Sequence, residues 1–349
     1  MYTFTKIDYR IIDKTDYYNF IEKTPFTTVE WLDFLKAFRH IYPVVLKITD
    51  GEGDVGNFTG GIIHFIGIKV LGSPFYGWVC QHMGFDFRKN VNKSILLDEL
   101  IDYAIEILGV QYIQITDLKY GYDILENCTH KLIGGERYKT CYIDLTKTED
   151  ELFKAFKSEY RTCVRKFEKN NCLIKEDLSD EFILEHSKQL KEVFRKQKMM
   201  APNYVKKMKL MYNMLQKKNI LLSIKAVTPD NINIASSYYI GFKDIAFLAS
   251  NASYISYSNL RPNQALHWFS MRYWKSKGIR VMDMGGSGDY KGNYGAEWKL
   301  TPIIIFSKNK LTYFIIIGLK RSYYKFFRLT GKLKNWVLIM FHKNKEVSE

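Results

Sequence analysis

Between Asn259 and Phe306 the chain runs NLRPNQALHWFSMRYWKSKGIRVMDMGGSGDYKGNYGAEWKLTPIIIF, and the order of signals in this stretch leaves few folds open to it. Pro262 and Asn263 open a helix in which Leu266, Phe269 and Tyr273 recur at i, i+3 and i+7. Lys277-Gly278 closes it with a last-turn cation and a glycine. A short strand follows over Ile279 to Met284. Its alternation puts Ile279, Val281 and Asp283 on one face, so an acid falls on the side expected to be buried, at the strand's C-terminal end. Burying a carboxylate is costly unless it has partners or a task. Five glycines between Gly285 and Gly295 then form a loop carrying Asp289, Tyr290, Lys291 and Tyr294, and an apolar strand, Ile303 to Phe306, ends the unit.

At 349 residues the chain has room for two domains, each burying its own core. It contains no run of 18 apolar residues, and Met1 to Phe20 carries acids and lysines where a signal peptide needs an apolar centre. The expected location is therefore the cytoplasm. Five cysteines (Cys80, Cys128, Cys141, Cys163, Cys172), odd in number and never in a C-x-x-C pair, fit reduced thiols better than a disulfide framework or a zinc ribbon. The net charge of +15 is unevenly placed. Residues 1–150 hold 16 Lys and Arg against 21 Asp and Glu, whereas residues 151–349 hold 36 against 16, so an anionic partner is expected to meet the second half.

Read in order, residues 2–24 suggest a strand and a short helix, and Thr28 to Phe38 a helix with Trp31, Leu32, Leu35 and Phe38 on one side. Val44 to Thr49 and Gly61 to Leu71 are β-rich runs joined by the turn-forming Asp50-Gly51-Glu52-Gly53-Asp54, and Gly77 to Phe85 offers another strand. The helix Ser94 to Leu108 and the strands Tyr112 to Thr116 and Thr140 to Leu145 complete the first half. A capping box, Thr148-x-x-Glu151, then opens a similar order. Strands Leu173 to Asp177, Leu221 to Val227, Ile232 to Ile240 and Ile245 to Asn251 surround helices at Glu181 to Gln197 and Asn203 to Lys217. The element order argues for a duplicated α+β unit.

Three stretches concentrate positive charge. In Glu151 to Asn171, Phe153, Phe156, Tyr160, Val164 and Phe167 form an apolar stripe opposite Arg161, Arg165, Lys166 and Lys169. Lys188 to Lys218 holds ten Lys and Arg with one acid, Glu192, which suggests a phosphate-bearing partner. Lys308 to Glu349 holds ten Lys and Arg against two acids, interleaved with Tyr, Phe and Trp. That pattern suits an interfacial element on anionic lipid or a helix packed on the second domain.

The Leu266-His267-Trp268 helix, Lys277-Gly278, the strand end Asp283-Met284-Gly285-Gly286 and the loop Tyr290-Lys291 to Tyr294-Gly295 together resemble the closing half of a known family. It is that of the GNAT-like acyltransferases related to the Fem-type peptidoglycan aminoacyltransferases, where D-x-G-G is followed by F-K-x-x-F-G. Here tyrosines stand at both phenylalanine positions. Arg161-x-x-x-Arg165-Lys166-x-x-Lys169 is similar to the family's R-x-x-I-R-K-A-x-K segment, and Trp31 lies in an early W-x-x-F/A-L helix of the same kind.

The resemblance implies tandem GNAT-like domains, 1–147 and a catalytic 148–312, each a mixed, mainly antiparallel sheet flanked by helices, followed by the basic aromatic tail 313–349. It implies Ile245 to Asn251 as a splayed strand, and Lys291 at the developing oxyanion or a donor phosphate. Asp283 would accept or position the amine's proton, and Arg161 and Arg165 would bind phosphate. Tyr290 and Tyr294 would be ring platforms or loop anchors. The usual phosphate loop, Q/R-x-x-G-x-G/A, is replaced by Ser258-Asn259-Leu260-Arg261-Pro262-Asn263, whose Asn259, Arg261 and Asn263 stand before a helix N-terminus suited to anions. No permanent cofactor and no metal are expected. The co-substrate would be an acyl-CoA or an aminoacyl-tRNA, and the acceptor an amine on an amino sugar or peptide of a cell-envelope precursor, lipid-linked or free, at the inner membrane face. The two short helices at 181–217 leave no room for the coiled-coil insertion of some Fem-type enzymes.

His267 reads as a packed helix residue rather than a base. Neither G-x-x-x-x-G-K-[ST] nor G-x-G-x-x-G nor Gly-x-Ser-x-Gly occurs, which sets aside kinase, dinucleotide and serine-hydrolase readings. The alternative to an enzyme is a basic module that binds RNA or a membrane surface without catalysis.

Overall fold

Local signals set most of the element boundaries in the computed structural model, which describes residues 1–12, 19–21, 23–133, 137–197, 205–216, 219–286, 288–322 and 325–326. The first half comprises β1 (Thr3–Ile7), α1 (Val29–Arg39), β2 (Tyr42–Asp50), β3 (Gly53–Phe65), β4 (Ile68–Ser73), β5 (Gly84–Phe87), α2 (Lys93–Glu106), β6 (Tyr112–Ile115), the single turn α3 (Ile124–Asn127) and β7 (Arg137–Asp144). Then come α4 (Glu149–Ala155), α5 (Ser158–Lys169), β8 (Leu173–Glu176), α6 (Asp180–Lys196), α7 (Val205–Leu215), β9 (Leu221–Val227), β10 (Asn233–Phe242) and β11 (Ile245–Ser253). The chain closes with α8 (Pro262–Ser276), β12 (Val281–Asp283), β13 (Glu297–Pro302), β14 (Ile304–Ser307) and α9, residues 310–322. Thr28 caps α1 by accepting from Trp31 N, and Thr148 with Glu151 forms the expected capping box on α4.

Among the described residues the strands form two seven-stranded sheets, ordered β1-β2-β3-β4-β6-β14 with β5 also on β3, and β13-β7-β12-β11-β10-β9-β8. Within each, one pair is parallel, β4 with β6 and β11 with β12, and the rest are antiparallel. A helix connects each parallel pair, α2 in the first lobe and α8 in the second, as a parallel crossover requires. The architecture is the α+β, tandem arrangement of mixed, mainly antiparallel sheets that the sequence implied.

One feature of the sheets differs from that expectation. The strand near 140–145 closes the second sheet, where β7 pairs with β12 and β13, and the strand near 303–306 closes the first, where β14 pairs with β6. The halves exchange their last strands. Local sequence gives a short strand its alternation but not its partner, which long-range register decides. Three smaller differences follow from turn geometry and edge placement. The run Gly61 to Leu71 is broken by a hairpin at Ile66–Gly67, the strand expected over Gly77 to Phe85 begins only at Gly84, and the basic stretch after Glu151 is two helices meeting at Phe156–Lys157. The edge strand β13 was not expected, although Trp298 and Leu300 alternate with Glu297, Lys299 and Thr301; its first four residues are exposed on both faces.

Three apolar clusters hold these layers. In the first lobe α2 packs Leu96, Leu97, Leu100 and Ile101 onto Phe58 and Phe85, and in the second α5 and α8 pack Val164, Phe167, Leu266 and Met271 onto the other sheet. The third cluster joins the lobes, with Trp31 and Phe34 of α1 against Met208 and Tyr212 of α7 and Tyr238 and Phe247 of the second sheet. Phe247 sits between Phe26 (ring centroids 4.6 Å) and His82 (5.0 Å), both from the first lobe. Phe247→Ala should therefore lower stability by about 3–5 kcal/mol, read as a fall in Tm.

Candidate active site

β11 and β12 pair over three rows only, Ile245–Val281, Ala246–Met282 and Phe247–Asp283. Beyond that row β12 turns away at Gly285 (φ 76°), while β11 runs on to Ser253 against β10 alone. Between the pairs Tyr239–Leu248 and Tyr238–Ser250 the register slips, so Ala249 is an extra residue in a bulge just past the point of separation. A V-shaped opening results, with Asp283 at its apex. Six further residues of β11 carry its far end about 20 Å away, to the turn that leads into α8.

Asp283 is fully buried. Its Oδ1 accepts from Thr140 Oγ1 and from Gly285 N (2.6 Å), whereas Oδ2 has no hydrogen-bond partner among the described residues. Burial raises its pKa to about 6, against the lowering effect of those donors and of Lys291 and Lys299. The first lobe offers an internal comparison. Asp117 follows β6 much as Asp283 ends β12, and it too is fully buried, but both its oxygens are engaged: Oδ2 accepts from Phe85 N (2.8 Å) and Oδ1 from Lys119 N (3.0 Å). Of these two acids only Asp283 keeps an open oxygen among the described residues, and only it sits at a splay; Asp86 of the first lobe also has an open Oδ1, but its other oxygen is in an ion pair with Lys23.

Lys291 is no surface lysine, being 7% exposed. Its Nζ donates to Met284 O (2.6 Å) and Gly286 O (2.5 Å), tying the 3₁₀ turn over Asp289–Tyr294 back onto the strand end beside Asp283. An ammonium has three donors, so one remains for a group entering the apex. Burial lowers its pKa, and Asp283 acts the other way. Gln81 completes this wall from the first lobe. It accepts from Tyr138 OH (2.5 Å), and its Nε2 would lie 2.8 Å from a Cβ at Gly285, so a side chain there would push the Gln81 amide aside, while the φ of 76° favours glycine outright.

Of the two tyrosines, Tyr294 is an anchor, buried against Phe156 (5.2 Å), Tyr160 (4.8 Å) and His267 (5.1 Å). Tyr290 is 48% exposed and lays its ring beside Gly288. The basic segment does meet this loop, since Lys157 N donates to Asn293 O (2.9 Å) at the start of α5. Arg161, however, turns to the end of α4, donating to Phe156 O and to Lys154 O (3.0 Å), while the exposed Arg165 lies 5.5 Å from the Phe153 ring. His267 is a packing residue, its Nδ1 2.8 Å from Tyr239 OH and its pKa lowered to about 3 by burial.

Asn259, Arg261 and Asn263 stand at the far end of the splay. Arg261 adopts a left-handed conformation (φ 59°) as it enters α8, and no side chain caps that helix. Its first N–H groups, which lack intrahelical partners as at any helix start, are left without a side-chain cap beside Ser253 at the end of β11. Asn263 donates to Ser253 Oγ (3.2 Å) and keeps a buried Oδ1 without a partner among the described residues, whereas Asn259 is exposed.

A cleft of about 960 Å³ lies between the lobes, a feature that sequence reasoning missed. It is lined by Lys23, Lys89, Lys93 and Lys119 from the first lobe and Arg280 and Lys299 from the second, against the acids Asp144 and Asp244. Tyr142 also lines it and is the ladder partner of Asp283, so the cleft floor reaches the row that holds the acid. Lys23 is buried there in an ion pair with Asp86 (2.8 Å). These lysines are scattered over 276 sequence positions, from Lys23 to Lys299, with no common motif; only the fold collects them.

Among solved structures the chain is similar to the crystal structure of FemX, with a TM-score of 0.69 and 13% identity over 89% of this chain and 99% of that one. It is also similar to a tandem GNAT protein from the clavulanic acid biosynthesis pathway (TM-score 0.52, 9% identity, 88% and 99% covered). L-PGS from Bacillus licheniformis aligns with a TM-score of 0.51 at 13% identity, over 86% and 98% of the two chains. No family model and no curated protein matches the chain. At these identities the likeness is one of fold, and the fold is the tandem GNAT-like one.

Proposed function

We propose that the protein is an N-acyltransferase that moves an acyl or aminoacyl group from acyl-CoA or aminoacyl-tRNA to an amine of a cell-envelope glycan or peptidoglycan precursor. The observation that carries this reading is Asp283: a buried carboxyl with one open oxygen, at the apex of a splayed parallel pair, beside the ammonium of Lys291. Aminolysis of a thioester or ester requires both reactants held together, a stabilised oxyanion and removal of a proton from the amine. The splay holds an extended donor whose phosphates meet the uncapped start of α8, with Asn259, Arg261 and Asn263 around it, and whose carbonyl lies at the apex. The third N–H of Lys291 and the bulged backbone at Ala249 face the oxyanion. Asp283, ionised above about pH 6, accepts the proton that the attacking amine loses. The leaving group is the thiol of coenzyme A or the terminal ribose hydroxyl of tRNA.

The acceptor enters from the other side, through the cleft, where Lys93, Arg280 and Lys299, beside the ion-paired Lys23, Lys89 and Lys119, favour a phosphate-bearing molecule such as a nucleotide-linked or lipid-linked precursor. Reversing two exposed ones, Lys93→Glu with Arg280→Glu, should raise KM for a diphosphate-bearing acceptor about tenfold or more and leave kcat nearly unchanged, because neither is among the charges that set the pKa of Asp283. Catalysis falls to the second lobe, from 148 to about 303 with the exchanged strand β7, and the first lobe, completed by β14, shapes the cleft; of the basic tail from 313, which begins within α9, residues 323–324 and 327–349 lie outside the described ones. Lys198, Lys217 and Lys218 of the second basic block lie outside them as well. The reaction would take place in the cytoplasm at the inner membrane face. No helix among the described residues is long and apolar enough to cross a membrane.

Donor class is tested by thermal shift with acetyl-CoA, coenzyme A and charged or uncharged tRNA. A ligand at 100 times its Kd adds about 2.7 kcal/mol to the native state. Stabilisation by an acylated donor is expected. Equal stabilisation by charged and uncharged tRNA, with none from the coenzyme, would favour the RNA-binding alternative.

A further inference from the structure

One end of the first sheet gathers four connections: the start of β2 at Tyr42, the β3–β4 turn at Ile66–Gly67, the link from α2 to β6 over 107–111, and the step from β14 into α9 over 308–309. Their proximity is fixed by backbone bonds, Gln111 N to Lys69 O (2.9 Å) and Lys308 N to Gln111 O (3.0 Å), and by the pairing of Tyr112 with both Val70 and Ser307. The ring of Tyr42 lies 6.4 Å from that of His64, two residues before the turn.

These connections carry Tyr42 (65% exposed), Ile66 (68%), Ile107 (67%), Leu311 (69%) and Phe314 (65%). Single exposed apolar residues are ordinary, but five on adjoining connections are a patch. Ile66 is also held at φ 51°, a conformation that a β-branched residue rarely takes, at the very tip of its hairpin. On α9, Thr312, Ile316 and Ile317 face inward, and Leu311, Phe314, Gly318 and Arg321 face outward. From Lys299 to Lys345 the chain contains eleven Lys and Arg and no Asp or Glu, and the positions after Phe326 add Phe327, Trp336 and Phe341 among five of those cations.

We propose that this end of the first sheet, with the outer face of α9, is a docking surface for an anionic lipid bilayer. Exposed rings and aliphatic tips that enter the headgroup region, flanked by Lys308, Lys310 and Arg321 and with Glu106 beside Ile107 as a counter-charge at the end of α2, match that boundary. A second copy of the chain would bring the same cations against one another, under a net charge of +15. The basic cleft opens at the other end of β6, by Leu118 and Lys119, so a bilayer seated here leaves it accessible. The surface stands independently of the reaction proposed above.

The test is sedimentation of the full chain with vesicles of phosphatidylcholine alone or with added phosphatidylglycerol, at two salt concentrations. Binding to the anionic vesicles only, weakened by salt, is expected. The variant Ile66→Ser, Ile107→Ser, Leu311→Ser, Phe314→Ser should keep the wild-type Tm and lose about tenfold or more in vesicle partition. Lys310→Glu with Arg321→Glu should also weaken binding. No binding by the wild type, or equal binding by the apolar variant, would overturn the proposal. So would a concentration-dependent dimer that the apolar variant abolishes in the absence of vesicle binding.

Discussion

Asp283→Asn should lower kcat for acyl transfer by about 10²–10⁴-fold while leaving the protein folded and more stable than the wild type at neutral pH. The change keeps the shape and the acceptor that Thr140 and Gly285 N require, but removes the group that takes the proton. The stability effect has a definite sign. The folded-state pKa, about 6, lies above the ordinary 3.8, so the folded chain holds the proton more tightly than the unfolded one. Wild-type stability is therefore complete below about pH 4 and declines as pH rises to about 6. The difference from the variant grows over that window to at most about 3 kcal/mol. Urea titrations at several pH values measure it. In the wild type, kcat/KM should rise with pH through an inflection near 6, the value at which Asp283 ionises. A pH profile flat across that range, with an active Asn variant, would make Asp283 a structural acid.

Lys291→Met should be the second large effect, a loss of about 10²–10³-fold in kcat. Its cause is double. The apex loses its cation, and Met284 O and Gly286 O lose their donor, each at a cost of about 1–3 kcal/mol if left buried and unpaired. Lys291→Arg separates the two causes. A guanidinium restores charge but is too wide for a site 7% exposed and bounded by Gly285 and Gln81, so charge alone should not rescue turnover. Full activity in the Arg variant would show that the loop needs only a cation.

The chain from Pro262 to Tyr294 could be read from sequence because each of its signals is local. The helix follows from apolar spacing and Gly278, the strand from alternation, the loop from glycines, and the buried acid from its place in the alternation. Its position at an apex could not be read, since the apex exists only because β11 outruns β12 and bulges at Ala249. The exchanged strands β7 and β14 were misplaced for the same kind of reason: their partners are set by register across the whole sheet. Lys291 was found by motif but not its burial, and Arg161 was found but not its use as a cap for α4. The cleft cations, from Lys23 to Lys299, had no sequence signal at all. The contrast between Asp117 and Asp283 needed coordinates as well, because both are acids at or just past a strand end, and hydrogen bonding and the splay distinguish them.

Transfer of the acyl group to an amine can be assayed directly. Labelled acetyl-CoA and a pool of labelled aminoacyl-tRNAs are each incubated with the protein and with envelope precursors that bear a free amine, and label in an amide product is counted. One donor class should give an amide with the wild type, and Asp283→Asn should lose it. An amide formed equally well by the Asn variant, or no amide from either donor while the protein retains its affinity for tRNA, would contradict the proposed reaction.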